Sequence, residues 1–255
     1  MSLKILKKCK ALMYAFVYWS IVLVYSPRQM RYIGRWLRSI LSSKGIFSLP
    51  APLFPFSVID VVDEYIDRSK IVFEYGSGAS TIWFARRANK VVSIEHDEKW
   101  YLRLLDALQR ERIQNCRLLF CPPEPSEGTS GENRDPRSYA SLWYPNMSFK
   151  QYVTSIDGYP DGYFDLILID GRSRPSCILH AIPKLRSGGM LILDDSEREY
   201  YYRARRLLAK WQKRRHFGPV PKRFYFGCST IYMKPALGVK DRDSHKQQSD
   251  QEAPE

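Results

Sequence analysis

A stretch of eleven residues, 71–81, limits the possible folds of this chain more than any other part of the sequence. Three apolar residues lead into Glu74, and two glycines, Gly76 and Gly78, follow with one residue between them. Glycine allows the backbone to turn sharply and to approach a ligand closely. The small hydroxyl residues that come next open a helical pattern. The stretch therefore predicts a buried strand, a tight turn and a helix N-terminus whose free N–H groups face a nucleotide-like cofactor.

A second predicted strand, residues 90–94, supports this interpretation. It ends in Glu95, 17 residues after Gly78, where an acid can hydrogen-bond a ribose diol. A dinucleotide fingerprint would place a third glycine at position 81, but Thr81 stands there. The departure disfavours a pyrophosphate packed on the helix and favours a cofactor without phosphates at that point.

Strands and helices are predicted to alternate along the chain. The pattern predicts strands at residues 71–74, 90–94, 117–121, 164–169 and 190–194, and helices at 80–88, 97–112, 149–156 and 175–183. Such alternation predicts a parallel sheet with helices on both faces. The strands are apolar without polar interruption, which agrees, because central parallel strands are buried on both sides.

Four groups of residues resemble, in order, the successive motifs of class I S-adenosylmethionine (SAM) methyltransferases. They are Glu74-x-Gly76-x-Gly78-x-Ser80-Thr81, Glu95, residues 164–170 and residues 188–194. The resemblance covers residues 59–234 and extends weakly to FkbM-like and related glycan methyltransferases. It implies an α/β fold with a Rossmann-like, mostly parallel seven-stranded sheet, helices on both faces and an antiparallel final strand. Residues 224–226 and 229–234 would form the antiparallel pair that closes the sheet.

The resemblance also implies SAM as the cofactor and assigns residues to it. The cofactor-binding residues would be Glu74, Tyr75, Gly76, Ser77, Gly78, Ser80, Thr81, Glu95, His96 and Asp170. In this assignment Glu95 takes the ribose hydroxyls, and His96 flanks the adenine. Asp170, beside the methyl-donor position, is the candidate catalytic base, and a structural contact to SAM is its alternative role.

Two arginines that follow the predicted strand 164–169, Arg172 and Arg174, are candidates for binding the acceptor. Their forked donors recognise carboxylate or phosphate. The alternative is that they pair with nearby acids at residues 194–197. Asp170 with Asp194 and its neighbour also resembles the carboxylates that hold a divalent metal in catechol-type O-methyltransferases. The two arginines disfavour a metal there, so no metal ligand is assigned.

The chain is strongly basic, with a net charge of +13 and a pI near 9.5. Such a charge favours an anionic partner, namely a lipid surface, a nucleic acid or an acidic substrate, with solubility as the alternative explanation. Five cysteines without a C-x-x-C pair predict reduced thiols and a cytoplasmic protein. A nucleic-acid methyltransferase is disfavoured, because Asp170-Gly171-Arg172 stands where an Asn/Asp-Pro-Pro-Tyr motif would be expected.

The chain is predicted to have three parts: a helical segment at 1–47, a SAM-binding domain at 48–235 and a disordered tail at 236–255. Residues 11–26 are uncharged but, as a helix, would reach only about 24 Å, less than the hydrocarbon core of about 30 Å. Residues 28–42 form a cationic amphipathic pattern typical of helices in a membrane interface. Contact of residues 1–44 with the cytoplasmic face of an anionic membrane, and packing of this segment on the domain, both remain open.

Three local predictions complete the picture. Ser57 would cap a helix, with Asp60 at the capping-box position. Residues 122–147 would form a long loop, either a partly ordered cover for the acceptor that buries Trp143 and Tyr144 or a mobile insertion. Residues 196–215 would form a long helix with a basic second half.

Taken together, the sequence predicts a SAM-dependent methyltransferase. The acceptor would be a hydroxyl or carboxylate on a small molecule, a sugar or a lipid-linked glycan. The alternatives are an RNA or other nucleic-acid methyltransferase and a membrane-associated module that binds SAM without turnover. The pattern does not indicate an oligomeric state.

Overall fold

The computed structural model describes residues 3–43, 45–48, 51–127 and 135–236. The predicted tail lies outside the described residues beyond Ala236. The strands are β1 Ile71–Tyr75, β2 Lys90–Glu95, β3 Cys116–Phe120, β4 Glu124–Pro125, β5 Met147–Ser148, β6 Phe164–Ile169, β7 Leu185–Asp194, β8 Gln212–Pro219 and β9 Phe226–Met233. The α-helices are α1 Leu3–Tyr25, α2 Ile33–Leu41, α3 Phe56–Tyr65, α4 Ala79–Ala85, α5 Glu98–Arg110, α6 Lys150–Thr154, α7 Arg174–Lys184 and α8 Tyr202–Arg206. Short 3-10 helices lie at Pro27–Tyr32, Ile46–Ser48 and Glu199–Tyr201.

Within the described ranges, seven strands form one sheet in the order β3-β2-β1-β6-β7-β9-β8. The first five are parallel, and β9 runs antiparallel to both of its neighbours. The predicted fold class, with its antiparallel final strand, is confirmed. Chain order reverses between β1 and β6, where Phe73 pairs with Ile167. In an open α/β sheet that reversal opens a crevice at the carboxyl ends of the strands.

The central strands are apolar throughout because the sheet is covered on both faces. Successive side chains of a strand point to opposite faces. Leu166 and Leu168 of β6 therefore join a core with α1 to α4, whereas Ile167 and Ile169 join a core with α6 to α8. The two apolar layers hold the carboxyl ends of β1 and β6 rigidly side by side.

The N-terminal helices pack on the first of these faces. Trp19 of α1 lies against Trp36 of α2 and Phe226 of β9, with ring centroids 5.6 and 5.2 Å apart. The indole of Trp36 donates a hydrogen bond of 2.8 Å to the carbonyl of Arg223. Residues of α1 and α2 thus belong to the same core as the sheet. Among the described helices, none combines the length and apolarity that crossing a bilayer requires.

The predicted helix at residues 196–215 is wrong. The chain forms the short helices Glu199–Tyr201 and α8, and then the strand β8, which pairs with β9 from Gln212 to Pro219. The long pairing with β9 overrides the helical propensity of this basic stretch. The exposed cations Lys213 and Arg214 protect the free edge of the sheet, since charged side chains disfavour pairing with another chain.

Three further local predictions fail. Residues Phe224 and Tyr225 precede β9 rather than forming a strand. Helix α3 begins at Phe56 after Pro55, without a side-chain cap, because Asp60 instead accepts a hydrogen bond from Tyr32 and pairs with Arg35. Trp143 is 65% exposed rather than covered.

Candidate cofactor site

A cavity of about 530 Å³ lies at the carboxyl ends of β1, β2 and β6, at the reversal of strand order. Ligands of doubly wound sheets bind at this position. The cavity wall contains nine residues of the predicted set, which are Gly76, Ser77, Gly78, Ser80, Glu95, His96, Asp170, Arg172 and Arg174. The remaining three, Glu74, Tyr75 and Thr81, are fully buried behind that wall.

The two glycines of the loop between β1 and α4 are needed for different reasons. Gly76 has φ +91°, and a Cβ there would lie 2.6 Å from the Cα of Gly171. Gly78 has φ 176°, an extended backbone that any residue adopts. A Cβ at Gly78 would meet only the Ser80 hydroxyl at 3.9 Å and the Trp100 ring at 4.0 Å. Gly76 is therefore required by packing, whereas the missing side chain at Gly78 keeps the cavity open.

Glu74 holds this loop from behind. Its carboxylate accepts hydrogen bonds from the hydroxyls of Ser80, Thr81 and Ser93, the last at 2.6 Å. Burial raises the pKa of Glu74 to about 7, although the three hydroxyl donors act in the opposite direction. The hydroxyls of residues 80 and 81 are thus occupied by Glu74, which ties the first turn of α4 to β1.

Glu95, at the end of β2, is 3% exposed and held by donors on both oxygens. One oxygen accepts from the backbone N–H groups of His96 and Asp97 at 2.8 and 2.9 Å. The other accepts from the backbone N–H and hydroxyl of Ser77 at 3.2 and 2.9 Å. Burial acts to raise the pKa of Glu95, but these hydrogen bonds and the neighbouring imidazole outweigh it and lower the pKa. An ionised acceptor therefore stands at this side of the cavity.

Three carboxylates on the other side surround the guanidinium of Arg174. Its nitrogens lie 2.8 Å from Asp170, 3.3 Å from Asp195 and 4.0 Å from Asp194. Desolvation raises the pKa of Asp170 to about 6; Arg174 opposes the shift, and Asp195 adds to it. Desolvation and Asp170 also raise the pKa of Asp194. Arg174 thus makes the acidic pairing that the sequence left open as its alternative role.

This cluster does not suit a divalent metal. A cation bound by Asp170, Asp194 and Asp195 would need the space that the guanidinium of Arg174 fills. Across the part of the chain that the structure describes, no group of three or more His, Cys, Asp or Glu side chains is arranged to hold a metal ion. Arg174 supplies the positive charge that balances these acids.

Arg172 points elsewhere and makes a different set of contacts. Its Nε donates to Nε2 of His96 at 3.2 Å, and its guanidinium lies 5.4 Å from the ring centroid of Tyr144. The Tyr144 hydroxyl lies 3.1 Å from the same imidazole nitrogen. Because Arg172 donates to Nε2, the proton of a neutral imidazole resides on Nδ1, 2.7 Å from Glu95. Three side chains from distant parts of the sequence thereby line one wall of the cavity.

Sequence reasoning missed the wall formed by α5. Lys99, Trp100 and Arg103 line the cavity, and the indole of Trp100 donates a hydrogen bond of 2.7 Å to the carbonyl of Ser77. The guanidinium of Arg103 lies 5.4 Å from the centroid of the Trp100 ring. A signal was available, because α5 starts three residues after Glu95 and its first turns must lie beside the same strand end.

The described part of the long loop contributes Tyr144 to the site. Tyr144 lines the cavity, while the neighbouring Trp143 faces solvent. Residues 128–134 of this loop lie outside the described ranges. His180 lies apart from the cavity and contacts Asp157 at 2.9 Å.

No family model and no curated protein matches this sequence. Solved structures are similar in fold. The O-methyltransferase TomG from Streptomyces achromogenes, solved in complex with SAM, has a TM-score of 0.55 at 13% identity over 81% of this chain and 98% of that chain. A putative O-methyltransferase from Klebsiella pneumoniae has a TM-score of 0.51 at 17% identity, over 89% and 100% of the two chains.

A methyltransferase-like protein from Silicibacter pomeroyi gives a TM-score of 0.51 at 18% identity, over 74% and 92% of the two chains. At these identities the similarity is one of fold. The chain has the class I methyltransferase fold, as its strand order and the position of its cavity indicate.

Proposed function

We propose that this protein is a SAM-dependent methyltransferase that acts on a hydroxyl or carboxylate of a small molecule, a sugar or a lipid-linked acceptor. One observation carries the proposal. The cavity at the strand reversal is bounded by a glycine loop, with Glu95 on one side and Asp170 on the other. The fold is that of the methyltransferases, and TomG, which shares it, was solved with SAM bound.

The residues present suit an adenosyl sulfonium. A side chain at Gly78 would project into the cavity, so its absence leaves room for a ligand against the loop. The ionised carboxylate of Glu95 would accept from ribose hydroxyls in place of the Ser77 hydroxyl that it holds in this structure, and the ring of His96 is adjacent to it. Asp170 offers negative charge to the cationic, amino-acid end of the cofactor. When bound, SAM would supply a methyl group already activated for in-line displacement, so the chain mainly has to position the two reactants.

The cavity wall favours an acceptor that carries an anionic group. Lys99, Arg103 and Arg172 line it, whereas the carboxylates of Glu95 and Asp170 are held by local donors. Guanidinium groups bind carboxylate or phosphate through two parallel hydrogen bonds. Of the two arginines indicated by the sequence, Arg172 lines the cavity and contacts His96 and Tyr144 rather than an acid, so it is the one proposed to bind the acceptor. Arg174 instead neutralises the acidic cluster.

A hydroxyl acceptor also requires a proton acceptor. Asp170 remains the first candidate, since a carboxyl with a pKa of about 6 is ionised near neutral pH. A carboxylate acceptor would not need this base.

The experiment that tests the proposal uses SAM with an isotopically labelled methyl group and the full chain. Calorimetry first measures SAM binding, and fractionated cell extracts are then searched for a labelled product. Label in a small-molecule, glycan or lipid fraction supports the proposal. Label in RNA, with binding that weakens steeply as salt rises, would indicate a nucleic-acid methyltransferase instead. SAM binding without transfer to any fraction would indicate a binding module, and no SAM binding would refute the cofactor.

A further inference from the structure

In residues 13–25, where its side chains are described, helix α1 buries a narrow stripe of its surface. Among its described side chains, Ala15, Trp19 and Val22 are buried, at a spacing that puts them on one helical face. The stripe packs against Trp36 and Phe226, so the helix lies along the body of the protein rather than projecting from it.

The outward face of α1 is apolar and exposed. Between residues 13 and 25, eight large apolar side chains are 45 to 83% exposed: Met13, Tyr14, Phe16, Val17, Ile21, Leu23, Val24 and Tyr25. The polar residue among them, Ser20, donates its hydroxyl to the carbonyl of Phe16 at 2.9 Å, which reduces its demand for water. A contiguous apolar surface of this kind marks an interaction site, in contrast to scattered apolar residues.

Positive charge flanks this face in the sequence. The first 59 residues contain no Asp or Glu and nine cations: Lys4, Lys7, Lys8, Lys10, Arg28, Arg31, Arg35, Arg38 and Lys44. Asp60 pairs with Arg31 and Arg35. The segment before Asp60 therefore carries a large excess of positive charge in its sequence. Basic groups beside an exposed apolar helix complement an anionic lipid interface. Each cation near such a surface contributes about 1 kcal/mol to the binding free energy.

We propose that the outward face of α1 docks this protein on an anionic lipid surface. The helix has 23 residues and a length of about 34 Å, and it would lie in the plane of the headgroups with its apolar side chains at the acyl boundary. The buried stripe keeps α1 bound to the core and parallel to the protein surface, which suits docking rather than insertion across the bilayer. The proposal is independent of SAM binding.

Charge distinguishes a lipid surface from a second copy of the chain. Two copies packed through α1 would bring their cation-rich segments together, and like charges across an interface oppose association. Anionic lipid headgroups instead neutralise the same cations. The apolar face and its flanking charges are therefore both used in the lipid-bound arrangement.

Co-sedimentation of the full chain with lipid vesicles tests the proposal. We expect binding to vesicles of phosphatidylcholine with phosphatidylglycerol, much weaker binding to phosphatidylcholine alone, and partial release by salt. The double variant Phe16→Ser/Val24→Ser should bind about tenfold more weakly, because two exposed apolar side chains no longer enter the interface. Arg28→Gln should weaken binding to the anionic vesicles about fivefold.

Matched controls distinguish binding through this surface from nonspecific binding to vesicles. Leu102→Ser/Tyr202→Ser removes two apolar side chains that are 55 and 60% exposed and far from α1 in sequence, and Arg117→Gln removes an exposed cation elsewhere. Both controls should bind vesicles as the natural chain does, and near-ultraviolet circular dichroism should show that every variant is folded. Equal losses in variants and controls would overturn the proposal, as would equal binding to neutral and anionic vesicles. A dimer in lipid-free solution that Phe16→Ser/Val24→Ser dissociates would replace the lipid by a second copy.

Discussion

Replacement of Gly78 by valine would place a side chain in the cavity without disrupting the fold. The Cβ of residue 78 meets no atom closer than 3.9 Å, and its backbone is extended. The two added methyl groups would occupy the space that a ligand must enter. Forcing extra methyl groups into an occupied site costs about 1 to 3 kcal/mol, which corresponds to roughly 5- to 150-fold in affinity. We therefore expect the Kd for SAM to rise by about one to two orders of magnitude.

The same change should affect stability only slightly. Gly78 is the N-cap residue of α4, where valine is less favourable by about 1 kcal/mol. For a chain of this size, that lowers the Tm by about 2 to 4 °C. By contrast, Gly76→Val should unfold the protein, because its Cβ would lie 2.6 Å from the Cα of Gly171.

Isothermal titration calorimetry with SAM, together with thermal unfolding of the same samples, measures both quantities. Gly158→Val is the matched control, since its Cβ meets no atom within 4 Å and lies away from the cavity. The control should bind SAM normally. A folded Gly78→Val protein with unchanged SAM affinity would show that the cavity is not the cofactor site.

Three other predictions concern the charged groups of the site. Arg172→Gln should raise the KM for an anionic acceptor about 10- to 100-fold with little change in SAM affinity. Arg172→Lys should restore only part of the loss. Equal effects on the acceptor and on SAM would contradict this role. Asp170→Asn should lower kcat about 100-fold or more and abolish the rise of rate through about pH 6. Asp195→Asn, outside the cavity wall, should keep a rise but move it to lower pH, because the charge of Asp195 helps to raise the pKa of Asp170. A normal kcat with weaker SAM binding would assign Asp170 to cofactor contact alone. Glu74 has a raised pKa of about 7 in the folded state, so the stability it contributes is full below its unfolded pKa of about 4.5 and is lost as pH rises through 7. The free energy of unfolding should fall by up to about 3 kcal/mol over this range, and denaturant titrations of Glu74→Gln should lack that fall.

Much of the sheet followed from local sequence pattern. The stretch from Ile71 to Thr81 predicted its strand, turn and helix because glycine spacing and apolar runs act over a few neighbouring residues. The alternation of strands and helices then left few arrangements, since parallel strands need crossover helices. That is why the acids at the ends of β1, β2 and β6 could be predicted to meet. They line one cavity or hold its wall from behind.

The composition of the cavity wall depended on tertiary packing. The orientation of α5 against β2 brings Trp100 and Arg103 to the site, and the return of the long loop brings Tyr144. Arg172 and Arg174 are two residues apart, yet one faces an imidazole and the other a set of carboxylates. Which partner each arginine meets is set by where α7 begins relative to β7, and sequence pattern does not contain that information.

The strand β8 and the helix α1 also show that tertiary contacts can decide what local sequence leaves open. Local propensity favoured a helix at residues 196–215, but pairing with β9 along eight residues outweighed it. In α1 the apolar sequence by itself allowed burial, insertion or surface contact. Packing on Trp36 and Phe226 decided which stripe is buried and left the opposite side exposed. The sequence alone therefore determined the alternation of the central strands and helices and the glycine loop, because these depend on neighbouring residues. Only the tertiary structure decided which side chains face the cavity and the solvent, because contacts between distant segments select among faces that are locally equivalent.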